Sequence, residues 1–205
     1  GASNAGSVYV YNLIGNSVQL LATINNPVPS TNEFFGFSVA IQNQTILVGS
    51  RDDTTNAAGA GGAYVYDLSS GAAVLTASLN TASPPIEEYF GFSVAISGST
   101  LLVGAPQDNT GASYSGSAYL FDLTSGSPLL ADTIHNPLPS TGAQFGRSVS
   151  VDNNLIVIGA PFQGAGATRA GSAYVYDVSS GSTVLVATLD NPSPALNDFF
   201  GSSVA

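Results

Sequence analysis

The side chains of this chain best suited to chemistry are carboxylates, and two short stretches bring them close together in sequence. Asp52 and Asp53 follow Arg51, and Asp108 precedes Asn109 one repeat later, while Gln163 and Gly164 hold the corresponding places in the next repeat. Oxygen donors of this kind suit a hard cation, and calcium is the ion expected at Asp52, Asp53, Asp108 and Asn109. Two side chains per loop are few, because such ions take six to eight oxygens, so backbone carbonyls and water must complete the shell. Nucleophilic chemistry has less to rest on. There is no Cys, and the single His135 shares its register with Asn25, Asn80 and Asp190, a set of turn-compatible polar residues. With no repeated His, Cys or Ser partner, a Ser-His-Asp arrangement has no spacing behind it. No catalytic residue is assigned, and the chain reads as a non-enzyme needing no cofactor beyond that calcium.

Thirteen acidic residues face three arginines, Arg51, Arg147 and Arg169, and no Lys, for a formal net charge of −10 over 205 residues. No basic patch of the size that displaces counterions from nucleic acid can form, so nucleic acid is excluded as a partner, as are anionic membrane surfaces. No apolar run approaches the ~20 residues that cross a bilayer as a helix, so membrane insertion is not expected. Hydrophobic residues at 44% and charged residues at 8% place the chain among folding sequences rather than disordered ones. The sequence contains no Met, so a longer parent chain or a removed leader is expected upstream.

Two markers recur on one 55-residue step. Phe35-Gly36, Phe90-Gly91, Phe145-Gly146 and Phe200-Gly201 form the first; Gly6, Gly61, Gly116 and Gly171, each opening a Gly-x-(Ala/Val)-Tyr segment, form the second. A fixed period of this length indicates a propeller, solenoid or array. Residues 1–40 read as a partial repeat lacking its start, followed by repeats at 41–95, 96–150 and 151–205, all within one repeat-array domain.

Within a repeat four strand-like runs separate. Phe92–Ile96 ends at Ser97-Gly98-Ser99; Leu101–Ala105 is a continuous apolar run of the kind buried on both faces. Ser117–Asp122 alternates small and aromatic side chains before the hairpin residues Ser125-Gly126, and Leu129–Ile134 is closed by Asn136-Pro137-Leu138-Pro139. Four short strands joined by tight hairpins predict an all-β fold of tandem four-stranded antiparallel blades of the β-propeller type, with an open superhelical or solenoid-like array as the alternative.

The repeated residues have structural readings. Phe35, Phe90, Phe145 and Phe200 are expected as wedges between neighbouring units, each worth ~1.5–3 kcal/mol when buried. Gly49, Gly104 and Gly159 end the apolar second strand, where a missing Cβ permits close backbone approach. Asp67, Asp122 and Asp177 enter the hairpins, where an Asx side chain bonds the amide two residues on.

The order Phe-Gly-x-Ser-Val-Ala, a short turn, Leu-Val-Gly-Ala-Pro (Gly104-Ala105-Pro106; Gly159-Ala160-Pro161) and Gly-Ser-Ala-Tyr resembles the FG-GAP repeat family over the whole chain. Its Asn-Pro-x-Pro connectors, Asn26–Pro29 and Asn191–Pro194, resemble the bacterial secreted branch. The resemblance implies a blade like those of the integrin α-chain head, in an extracellular or cell-surface protein serving adhesion, recognition or scaffolding. It also implies a calcium loop between the first two strands, but the turns here, Gln42-Asn43-Gln44, Ser97-Gly98-Ser99 and Asp152-Asn153-Asn154, are short and poor in acids. The partner expected is a protein or glycan surface ligand, with Tyr114 and Phe162 the loop aromatics that would favour a glycan. A structural alternative is an extracellular filament or sheath of head-to-tail copies, because 205 residues fall short of four whole units and unpaired strand edges need cover.

Overall fold

The computed structural model describes residues 2–81 and 87–205. Its regular structure is all strand. A two-stranded hairpin, β1 (Ser7–Ile14) and β2 (Ser17–Asn25), is followed by three four-stranded sheets. These are β3 (Phe35–Gln42), β4 (Thr45–Ser50), β5 (Gly62–Asp67) and β6 (Val74–Leu79); β7 (Ser93–Ser97), β8 (Thr100–Ala105), β9 (Ser117–Asp122) and β10 (Leu129–His135); and β11 (Ser148–Asp152), β12 (Leu155–Ala160), β13 (Ser172–Asp177) and β14 (Val184–Asp190). Every sheet is an antiparallel meander in sequence order, the blade of a β-propeller-type array, and the blades form an open series with no closed barrel. The sheets begin at or just after the Phe-Gly pairs, so the structural frame runs from Phe35, Ser93 and Ser148 and the boundaries at 41, 96 and 151 fall inside first strands.

The core lies between sheets. The second strand of each blade is apolar throughout because it is covered on both sides: Leu47 packs toward β7–β10 with Phe90, Leu101 and Val103, while its neighbours Ile46 and Val48 pack toward β1 and β2 with Val10 and Ile24. Phe35, Phe90 and Phe145 are each at most 3% exposed and sit in three successive inter-sheet clusters, ring against the paired tyrosines or phenylalanine of the third strand. Phe200, with no following sheet, is half-buried.

The repeated glycines answer to the same junctions. A Cβ on Gly116 would run into the carbonyl oxygen of Phe145, and one on Gly104 into that of Gly146, so these backbones touch directly. Outer strands carry a bulge in the same place in every blade, between the partners of Val10/Tyr11, Val65/Tyr66, Leu120/Phe121 and Val175/Tyr176, which twists the exposed edge away from further pairing.

Candidate functional site

One face of the array is built from two loop types that lace consecutive blades together. The chain entering a blade donates three amides to successive carbonyls of the preceding blade's second-to-third-strand loop: Gly142 N to Ser113 O (2.8 Å), Gln144 N to Tyr114 O (3.1 Å) and Phe145 N to Ser115 O (2.9 Å). The same ladder recurs at Glu87, Tyr89 and Phe90 and at Asn197, Phe199 and Phe200. Residues on both sides of this ladder lie in the left-handed region, among them Tyr114 (φ 53°), Gln144 (φ 55°) and Arg169 (φ 57°). The backbone is therefore fixed by repetition, while the side chains projecting from it differ from blade to blade.

Beneath this face lie buried carboxylates at two of the junctions. Glu33 accepts from Asn26 Nδ2 at 2.6 Å and Ser30 N at 2.8 Å, and Asp53 accepts from Tyr64 OH and from Thr55 N at 2.8 Å. One blade on, Tyr119 OH meets both Glu88 Oε1 and, at 3.0 Å, Asp108 Oδ2, while Thr110 N donates to Asp108 Oδ1 at 2.6 Å. A phenol has one proton to give, so two carboxylates sharing it need another. Burial, reinforced by the Asp108 charge, pushes Glu88 up to about 7 although Tyr119 and Thr81 donate to it. Burial also acts upward on Asp108, but donors from Thr110, Ser117 and Tyr119 outweigh it and hold Asp108 below the usual carboxylate range. At the third junction both acids are gone together: Ala143 replaces the glutamate, and Gln163 receives Ser140 Oγ at 3.3 Å and donates to Leu138 O at 3.2 Å, leaving the Tyr174 hydroxyl without a partner.

Above the carboxylates, all three arginines of the chain sit among aromatic rings. Arg51 lies over Phe37 (4.4 Å to the ring centroid) and Phe34 (4.9 Å), with Tyr89 and Phe92 just beyond. Arg147 lies over both Phe92 (4.9 Å) and Phe162 (5.3 Å), and Arg169 lies 5.6 Å from the Phe162 centroid. Arg51 Nε is 3.0 Å from Asp52 Oδ2, the one ion pair among the described residues. Arg147 donates to the neutral Gln144 Oε1 at 2.7 Å, and burial followed by the nearby Arg51 charge lowers its proton affinity. Sequence reasoning missed this row, because the arginines do not share a register; only a common location in space unites them.

The residues expected to hold calcium are placed apart. Asp52 pairs with Arg51, Asp53 turns inward to Tyr64, Asp108 turns inward to Tyr119, and Asn109 Oδ1 accepts from Tyr114 N at 2.9 Å. Their oxygens are engaged by protein donors, and among the described residues no three Asp, Glu or His side chains gather as a cation shell. The first-to-second-strand turns are two-residue hairpins, too tight for a calcium loop. This donor set does not fit calcium. Asp67, Asp122 and Asp177 each accept the amide two residues on, at 3.0, 2.9 and 2.7 Å. His135 Nδ1 lies 2.9 Å from Ser117 Oγ, directly across the strand pair, where Ser7–Asn25 and Ser172–Asp190 make the same contact, so it is one of a series of strand-end pairs.

A sequence model for the FG-GAP repeat matches residues 22–66, 84–121 and 139–176. No curated protein matches the chain. Among solved structures, the crystal structure of the Saccharomyces cerevisiae Sqt1 aligns with a TM-score of 0.49 at 14% identity, covering 80% of this chain and 36% of that one. The chain thus spans about a third of the length of that structure.

Proposed function

The chain belongs to the FG-GAP repeat family, and on that premise we propose that it is a non-enzymatic extracellular or cell-surface module that recognises a partner, protein or glycan, through the laced loop face. FG-GAP repeats are typically extracellular, and among the described residues no helix is long and apolar enough to cross a membrane. The observation that carries the reading is the contrast between junction and face. Phe, Gly and Ser at the junctions repeat from blade to blade, whereas the face changes in charge, from Asp52 and Glu87 to Arg147, Phe162 and Arg169, on one backbone. A scaffold that repeats and a surface that varies is how repeat proteins carry recognition.

The test is a glycan and matrix-protein array probed with the chain and with a variant whose face is levelled to sibling residues (Arg147→Phe, Phe162→Gln, Arg169→Gly). The proposal expects binding that the levelled variant loses at an unchanged unfolding midpoint. Binding indifferent to those substitutions, or turnover of a bound ligand, would contradict it. A filament subunit is a second reading, favoured by Tyr9 and Tyr11, which are 58% exposed on β1 while their register equivalents Tyr64 and Tyr66 are 4% exposed under a neighbouring blade. Another copy packed there would cover them, and Tyr9→Ser with Tyr11→Ser would abolish filaments seen by negative stain.

A further inference from the structure

Among the described residues, one inter-blade junction sets two buried carboxylates on a single phenol. Glu88 and Asp108, 1% and 4% exposed, meet across the Tyr119 hydroxyl, and Thr81 Oγ1 lies 3.2 Å from Glu88 Oε2. We propose that Glu88, Tyr119 and Asp108 form a proton-operated latch: with a proton on Glu88 the connection 87–90 is held against both blades, and loss of that proton to water loosens this junction while its siblings stay laced. The latch works whatever the loop face binds.

The two states follow from the protons available. In the closed state the Glu88 carboxyl donates to the Tyr119 oxygen and the phenol donates to Asp108, so each contact has its own hydrogen. Without the Glu88 proton the phenol hydrogen serves one carboxylate, and the other keeps a buried charge against a lone pair. The titratable groups facing Glu88 are Tyr119 from β9 and Asp108 from the β8–β9 loop. Burial, and then the Asp108 charge, favour the proton on Glu88 over the opposing donors Tyr119 and Thr81. Burial acts on Asp108 as well, but Thr110 and Ser117 donate to it and keep it the charged member of the pair.

The sibling junctions show what makes such a proton unnecessary. Glu33, at the register of Glu88, receives Asn26 Nδ2 at 2.6 Å and the Ser30 amide at 2.8 Å, which leaves the Tyr64 hydroxyl to Asp53. At the registers of Asn26 and Ser30 the second junction has Thr81 and Pro85, so a hydroxyl replaces the side-chain amide and the proline has no amide hydrogen to give. The third junction has Ala143 and Gln163, neutral at both positions. The same buried position is thus met by separate donors, by a shared proton or by uncharged side chains, and the shared proton is the arrangement that answers to pH around neutrality.

The latch lies on the segment that joins two blades. Glu87, Tyr89 and Phe90 donate their amides to Ala58, Gly59 and Ala60 of the preceding blade at 3.0, 3.2 and 2.9 Å, while Glu88 O accepts from Gln107 N of its own blade at 3.2 Å. Tyr89, next in the chain, is one of the rings around Arg51. Release of the Glu88 side chain therefore frees both a ladder between blades and part of the aromatic surround of Arg51. Acid closes this part of the loop face, and a rise through neutral pH loosens it.

The experiment is residue-resolved amide exchange of the 205-residue chain at about pH 5.5 and about pH 8.5, corrected for intrinsic base catalysis. Protection at Glu87, Tyr89 and Phe90 should fall by about tenfold or more as Glu88 loses its proton, while Gln144 and Phe145, in the same ladder at the third junction, change by less than about threefold. Glu88→Gln, neutral at both pH values, should abolish the fall. So should Thr81→Asn with Pro85→Ser, which keeps Glu88 and supplies the donors that Glu33 has. Histidine ordinarily titrates in this range, and His135 meets Ser117 on β9, so His135→Asn, borrowed from Asn25, is the control and should keep the fall. An equal fall in both ladders, no fall in the parent chain, a fall that survives Glu88→Gln or the two-donor variant, or its loss in His135→Asn would each overturn the latch.

Discussion

Ser93 Oγ donates a 2.8 Å hydrogen bond to the carbonyl oxygen of Gly146, fifty-three residues further along the chain and in the next blade. Ser38 to Gly91 (2.9 Å) and Ser148 to Gly201 (2.8 Å) repeat it, so the Ser of Phe-Gly-x-Ser and the Gly of the following Phe-Gly are one contact read at two places in the repeat. Ser93→Ala should cost about 1 kcal/mol in urea unfolding, and Ser38→Ala with Ser93→Ala should cost about twice that, since the two contacts share no partner.

Two glycines with nearly the same backbone angle separate crowding from conformation. Gly116 (φ 87°) faces the Phe145 carbonyl, whereas Gly126 (φ 84°), in the β9–β10 hairpin, has open space where a Cβ would go. Gly126→Ala should lose about 1–2 kcal/mol to backbone strain alone. Gly116→Ala should lose more than about 3 kcal/mol, because the junction must also open, and a similar loss in both would place the whole effect in the backbone angle.

Glu88 sets a pH dependence of known sign. Its folded pKa of about 7 is above the unfolded value, so the folded state binds the proton more tightly, and stability present at low pH is lost as pH rises from about 4.5 through 7. Asp108, held below its ordinary range, acts oppositely, losing its contribution only as pH falls below about 4. The thermal midpoint should therefore decline between pH 5 and 7.5 by the equivalent of about 1–2 kcal/mol, and Glu88→Gln should flatten that decline.

The third junction, where Ala143 and Gln163 replace both acids, predicts coupling. Ala143 is fully buried, so Ala143→Glu alone places a carboxyl against Gln163 and should destabilise strongly. Gln163→Asp alone surrenders the bonds to Ser140 and Leu138. Together they rebuild the arrangement at Glu88, Asp108 and Tyr119 around the unpartnered Tyr174 hydroxyl. A double-mutant cycle by chemical denaturation should show a favourable coupling above about 1 kcal/mol.

The blades were legible because their signals are local or strictly periodic. The apolar run Leu101–Ala105 can be read as a strand covered on two sides, and Ser125-Gly126 as a hairpin, from a few neighbouring residues. The face was harder. Glu33 and Glu88 stand in polar, proline-bounded connections that look solvated, and their burial follows only once the next blade closes over them. Asp52 and Asp53 look like a ligand pair, but successive residues in the loop turn opposite ways, one to Arg51 and one to Tyr64. Arg147 stands just before a first strand and Arg169 in a long loop, and each lies over the Phe162 ring, at 5.3 and 5.6 Å from its centroid.

With three arginines in the chain, a nitrogen–proton correlation spectrum of the arginine side chains contains only three Nε–Hε resonances, one for each guanidinium. Addition of a glycan or protein that binds on the array should move the resonance of Arg147, of Arg169 or of both, and leave that of Arg51, already paired with Asp52, in place. Three resonances unmoved at saturating ligand, or a shift confined to Arg51, would contradict recognition through this face.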